Sequence, residues 1–242
     1  MGKLFLTVSF LIAITANAQW WGSTKTIRGN GDITTITRST SGYNTIDVSG
    51  NLKVYLMHGE EGTINLTGES NLLPYVVTEV HRNSLKIYIK KGYALRYGRA
   101  HNMVIKVPFN LLNQVTLSGS GDIISTDPIQ TKNFKTVVSG SGDIELVLTA
   151  TITLAQVNGS GDIKLKGSTH ELDMSVKGSG DIKGYEFEAD SVTASVTGSG
   201  DIQTYAANAI RARVTGSGDI FYKGNPAKED TKIIGSGDIT RQ

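Results

Sequence analysis

The sequence predicts an all-β protein, a parallel β-helix with coils of about 19 residues, and three observations point to it. The pentapeptide Gly-Ser-Gly-Asp-Ile occurs seven times, with its aspartates at Asp122, Asp143, Asp162, Asp181, Asp201, Asp219 and Asp238. Their spacing is 21, 19, 19, 20, 18 and 19 residues, the near-constant circuit of a solenoid whose coils absorb an extra residue only in a loop. Composition agrees, with 28 glycines, 4 prolines and abundant Val, Ile and Thr, as expected of short strands joined by tight turns.

The residues around the pentapeptide give the coil its parts. Before it, apolar or small residues alternate with polar ones, as in Leu172, Met174, Val176, then Val192, Ala194, Val196, then Ile210, Ala212, Val214. Period-two alternation places these side chains on one face of a strand. After it, the first inward residue is always isoleucine, from Ile123 to Ile239, which predicts an isoleucine ladder along the core. No amphipathic helix fits between repeats, so a leucine-rich architecture is excluded. In the pentapeptide, the glycines permit the positive φ of a sharp corner, and serine and aspartate can bond local backbone N–H groups.

Residues 1–18 read as a signal peptide, with Lys3, an apolar run from Leu4 to Ile14 and Ala16-Asn17-Ala18. The apolar run is too short to span a bilayer, which predicts no stable membrane insertion of the mature chain. Residues 19–242 are expected to form one β-helix domain, with degenerate coils over 28–110 and regular coils over 111–242. In the degenerate part Val48-Ser49-Gly50-Asn51-Leu52 looks like a worn repeat, turns are expected near Gly50, Gly68, Asn83 and Asn102, and Leu72-Leu73-Pro74 starts an excursion. Near the C-terminus, Gly224–Lys232 reads as a loop.

Charge and motifs narrow the function classes. Without Lys3, 23 basic side chains face 22 acidic ones, a balance that suggests no nucleic-acid partner. There is no cysteine, so neither disulfides nor a lipidated cysteine hold the protein. No Gly-x-Ser-x-Gly elbow, phosphate loop or His-Glu-x-x-His helix occurs. His58, His81, His101 and His170 are scattered without metal-ligand spacing. The aspartates are the calcium candidates, although each coil supplies only one carboxylate; otherwise no cofactor is expected. Stacked carboxylates near 5 Å apart repel by roughly 0.8 kcal/mol per pair even at the dielectric of water, so backbone N–H groups or cations must compensate. Tyr93, Arg96, Tyr97 and Arg99 form a Tyr/Arg-rich loop of the kind found at binding surfaces.

The segment from Gly29 to Val80, followed by the repeated Val-x-Gly-Ser-Gly-Asp-Ile, resembles the family named putative auto-transporter adhesin, head GIN domain, over nearly all of residues 29–239. The resemblance implies a single-stranded right-handed β-helix, related in shape to pectin lyases but without their catalytic residues, and a role in cell adhesion. It carries over no site residue, and the tripeptide Gly-Ile-Asn is absent here. The reading is therefore a non-catalytic, secreted or periplasmic scaffold at the cell envelope, with a glycan or surface protein as partner and oligomerisation open. The alternatives are a carbohydrate-active enzyme on the same fold and a calcium-dependent adhesion module.

Overall fold

The computed structural model describes residues 24–98 and 103–242. The signal peptide, Arg99, His101 and Asn102 lie outside the described residues. The strands are β1 (Lys25–Arg28), β2 (Ile33–Ser39), β3 (Thr45–Ser49), β4 (Lys53–His58), β5 (Thr63–Glu69), β6 (Val76–His81), β7 (Ser84–Ile89), β8 (Tyr93–Arg96), β9 (Val104–Phe109) and β10 (Gln114–Gly119). There follow β11 (Asp122–Ser125), β12 (Ile129–Gln130), β13 (Asn133–Gly140), β14 (Asp143–Gly159), β15 (Ile163–Gly178), β16 (Ile182–Gly198), β17 (Ile202–Gly216), β18 (Ile220–Lys223), β19 (Lys228–Gly235) and β20 (Ile239–Arg241). The only helical segment described is a single 3-10 turn, Leu73–Tyr75, where Pro74 opens the excursion.

The regular coils stack as a parallel β-solenoid. Each strand pairs with its equivalent in the next coil, Ile144 with Ile163, Ile163 with Ile182, and Ile182 with Ile202. The isoleucine ladder lies inside: Ile123, Ile144, Ile163, Ile182, Ile202 and Ile220 are at most 1% exposed, and Val54 and Ile105 extend the column. A second ladder, Leu117, Val138, Val157, Val176, Val196 and Val214, is equally buried. No single coil encloses a core, so burial arises only between stacked coils.

Both glycines of the corner stand where coils touch, a Cβ on Gly178 lying 2.2 Å from the carbonyl oxygen of Gly159, and the first meets a second need as well. The first has positive φ in all seven repeats, from +121° at Gly119 to +136° at Gly159. The second has an ordinary φ, contrary to the expectation that both turn the chain. It is glycine because coils touch there: a Cβ on Gly180 would lie 2.0 Å from the carbonyl oxygen of Gly161, and one on Gly200 would lie 1.9 Å from that of Gly180. The approach is fixed by two bonds to one acceptor, since the N–H groups of Ser179 and Gly180 both donate to the oxygen of Gly159, at 2.9 and 3.1 Å. The serine hydroxyls face solvent and take no part.

In the N-terminal part, parallel stacking continues for two layers and then gives way to antiparallel strands. β3 and β4 stack on β10 and β11, and β7 and β9 stack on β3 and β4, all parallel. β6 then pairs with β7, and β5 with β9 and β2, antiparallel. The worn repeat is a true corner: Gly50 has φ +106°, while Leu52 and Lys53 stand where the other coils have glycine and aspartate. Asn83 lies in the β6–β7 turn at φ +66°. Gly68, expected in a turn, is inside β5, and a Cβ there would meet the sulfur of Met103 at 2.7 Å. The expected loop at Gly224–Lys232 is shorter, because Lys228 already starts β19, in register with Ala209.

Two polar groups, one buried and one half-buried, tie this end together. The carboxylate of Glu69, 2% exposed, accepts the N–H of Gly31 at 2.7 Å and of Gly98 at 2.9 Å. The guanidinium of Arg38 donates to the carbonyls of Val76 and Leu73, at 2.6 and 2.9 Å.

Replacing Gly180 by alanine should destabilise the protein by at least about 3 kcal/mol, while Ser179→Ala should stay within about 0.5 kcal/mol. Urea unfolding of both variants measures the difference, and equal effects would contradict the close approach at the second glycine.

Candidate functional site

Six of the seven aspartates, Asp143 to Asp238, form one continuous ladder along the edge of the corner. The N–H of Asp162 donates to Oδ1 of Asp143 at 2.9 Å, and the pattern repeats from Asp181 to Asp162 at 3.0 Å, Asp201 to Asp181 at 3.0 Å, Asp219 to Asp201 at 2.8 Å and Asp238 to Asp219 at 2.7 Å. A bond runs back across each step: the N–H of Ile163 donates to the carbonyl of Asp181, and that of Ile182 to Asp201, both at 2.9 Å. Each carboxylate thus replaces a backbone acceptor that the turn has rotated away. A hydrogen bond to a charged group contributes about 1.5–3 kcal/mol, which exceeds the roughly 0.8 kcal/mol of repulsion per neighbouring pair. The bonds reach the next coil, whereas the sequence suggested local ones.

Lysines bracket the ladder. Asp122 stands apart, because Asp143 donates to the carbonyl of Gly121 instead, and Lys53, in register with Asp122, places its ammonium 3.6 Å from Asp122 Oδ2. Lys183 lies 2.5 Å from Asp162 Oδ2 and 3.9 Å from Asp181 Oδ2. The hydrogen bond to Asp162, with the charges of Asp162, Asp181 and Asp143, raises the pKa of Lys183 above its ordinary value against the desolvation that lowers it. One oxygen of each carboxylate from Asp143 to Asp219 is committed to an N–H, leaving a single row of second oxygens. Among the described residues, no three His, Cys, Asp or Glu side chains converge as a metal site.

The Tyr/Arg segment is a strand rather than a loop. Tyr93–Arg96 is β8, paired in parallel with β1, so that Arg96 stands beside Arg28. The rings of Tyr93 and Tyr75 lie 4.7 Å apart. Tyr97 turns back, its hydroxyl donating to the carbonyl of Asn51 at 2.7 Å, and burial pushes its pKa up to about 12. Three of the four candidates thus cover the N-terminal coils, and Arg99 lies outside the described residues.

Sequence reasoning missed one pairing. His170 is in β15, not in a loop, and its Nδ1 lies 2.7 Å from Oδ2 of Asp190 in the next coil. The partners are 20 residues apart, one coil period, so the repeat itself was the signal that could have joined them. His58 packs edge-on against Phe109, with ring centres 5.9 Å apart.

The model of the family putative auto-transporter adhesin, head GIN domain, matches residues 42–226. The chain belongs to that family. Among solved relatives, a putative adhesin from Bacteroides fragilis superposes with a TM-score of 0.83 at 27% identity, covering 89% of this chain and 100% of its own. A putative lipid binding protein from Parabacteroides distasonis gives 0.73 at 29% identity, covering 90% of this chain and 100% of its own. A putative adhesin from the same species gives 0.71 at 27% identity, with the same coverage of 90% and 100%. No functionally curated protein matches the chain. No helix among the described residues is long and apolar enough to cross a membrane.

Substitutions at Asp181 and Tyr97 test these contacts. Asp181→Ala should cost about 2 kcal/mol by orphaning the N–H of Asp201, whereas Asp181→Asn, which keeps an acceptor, should cost less than about 1 kcal/mol; chemical denaturation separates them. The raised pKa of Tyr97 means that the folded state holds the neutral phenol, so stability from this group is lost as pH rises from the ordinary tyrosine value near 10 through about 12. Tyr97→Phe should flatten that part of the stability profile, as followed by melting temperature between pH 9 and 12.

Proposed function

We propose that this protein is a non-catalytic adhesion scaffold of the cell envelope, exported by residues 1–18 and binding a glycan or a surface protein without a cofactor. The observation that carries this reading is one continuous parallel sheet. Strands β7, β3, β10, β13, β14, β15, β16, β17 and β19 lie side by side, all parallel. At about 4.8 Å per step the sheet runs for about 38 Å. From β10 to β17 its outer rows are mostly short and, apart from Val137, polar. One is Thr116, Val137, Gln156, Ser175, Ser195 and Arg213, and the next is Ser118, Ser139, Asn158, Lys177, Thr197 and Thr215.

Such a surface is rigid because every strand from β7 to β17 is pinned on both edges, and it repeats at a fixed interval, which suits many weak contacts made together. Membership of a family named for adhesins and the two adhesin-named relatives support the same reading. The ladder carboxylates are read as structural acceptors, so chelation should leave the melting temperature unchanged.

The exported protein should be retained on an array of glycans and matrix proteins without altering the glycans. Release of shortened or unsaturated sugars would replace this reading with an enzymatic one. Failure to bind either class would remove it.

A further inference from the structure

On one side of the solenoid the coils leave their register, and side chains that the stack does not need gather there. Strands β15 and β16 slip between Lys164 and Lys166, and β16 and β17 slip between Lys183 and Glu188 and between Ala189 and Ser191. The same strands keep strict register from Ser191 through Gly198. Bulges of this kind re-aim side chains and are over-represented beside functional sites.

The slips leave a groove of about 290 Å³. Along one wall Thr149, Ser168, Glu188 and Tyr205 stand in consecutive coils. His170 and Asp190 form the other, over a floor of the small residues Ala150, Thr169 and Ala189. Asp190 is held from both sides: His170 Nδ1 is 2.7 Å from its Oδ2, and the amide of Asn208 donates to its Oδ1 at 3.5 Å. The His170 and Asp190 side chains are 72% and 51% exposed, and a pair so exposed adds little to stability. The fold therefore does not account for it.

We infer that this groove binds a neutral oligosaccharide lying along the solenoid axis, with Tyr205 as the stacking platform and Asp190 as the acceptor for sugar hydroxyls. The chemistry points to this class. Carboxylates held in place accept paired hydroxyl donors, the hydroxyls of Ser168 and Thr149 both donate and accept, and an aromatic ring covers the C–H face of a sugar. Glu188 and Asp190 lining the same groove disfavour uronic and sialic acids, since like charges across a binding surface are rejected. Four consecutive coils give the groove a length of about 14 Å, enough for a short linear segment. His170 and Asn208 act as positioning residues, orienting Asp190.

The inference rests on the surface-binding reading and supplies its ligand class. The test is saturation-transfer NMR on the full exported protein with cellotetraose, mannotetraose, lacto-N-neotetraose and tetragalacturonate as probes. At least one neutral tetrasaccharide should receive saturation, and tetragalacturonate at least fivefold less. Tyr205→Ala and Asp190→Ala should each lower the signal at least fivefold, and Asp190→Asn and His170→Gln by a smaller factor. Ser195→Ala on the parallel sheet should leave it unchanged, and all five variants should melt with the parent protein. The inference is overturned if no neutral probe receives saturation, if tetragalacturonate is preferred, or if Tyr205→Ala and Asp190→Ala leave the signal intact. In the last case binding persists, so the site fails while the surface-binding reading stands. Silence from every probe together with failure on the array would sink both.

Discussion

Coils approach one another most closely at the Gly-Ser-Gly-Asp corner, and the periodic character of the chain follows from that contact. The first glycine's carbonyl takes two N–H donors from the next coil. The second glycine then passes so near its predecessor that a Cβ would stand about 2 Å from a carbonyl oxygen. Both contacts are made by backbone, so no side-chain rearrangement can relieve an intruding atom. That is why both glycines persist through seven coils, while the outward residue just before them is Ser118, Ser139, Asn158, Lys177, Thr197, Thr215 or Ile234. Once the corner is fixed, the isoleucine after it can point only inward, and the ladder of buried isoleucines is built by repetition.

The same contact sets what could be read from sequence. The coil length, the two inward ladders and the corner were legible because each recurs at one place in the period. What recurs only once was not. The antiparallel strands β2, β5 and β6 alternate like the parallel ones, and alternation gives the face of a residue but not the direction of its neighbour. The segment around Tyr93 looked like a loop because its glycines and aromatics hid a four-residue strand whose partner, β1, precedes it by more than sixty residues. His170 and Asp190 are distant in sequence but one coil apart in space. The aspartate ladder was anticipated, but its acceptor geometry reaches across coils, which no single repeat displays.

Regularity and function divide this molecule along its circumference. The corner and the strictly paired sheet obey the stack, so substitutions there answer to stability first. The side bearing Glu188, Asp190 and Tyr205 slips in register on either side of the Glu188–Tyr205 pair, which relaxes the demand that each residue match the one below. A solenoid can tolerate that on one side because the corner and the strictly paired sheet before it hold neighbouring coils in place. Variation is thus concentrated where the backbone permits it, and a chain built almost wholly from one repeat still presents a surface that differs from coil to coil.

Aspartate, rather than asparagine, makes that stack self-limiting. Either side chain would accept the next coil's N–H, but only the carboxylate carries a charge. Within the stack, the hydrogen bond to it outweighs the repulsion between neighbours. Where a coil receives no such donor, the repulsion is left uncompensated, and an added carboxylate-bearing coil is favoured only if its backbone is in register. The strand β19 reinforces this. Glu229 occupies the inward row that Ile210 fills in the preceding coil, and Lys228, Asp230 and Lys232 crowd the same strand. Charges on a strand, especially one turned inward, are the means by which a sheet is kept from recruiting further strands. The chemistry that holds one coil to the next therefore also discriminates between a coil of this chain and any other strand that meets it.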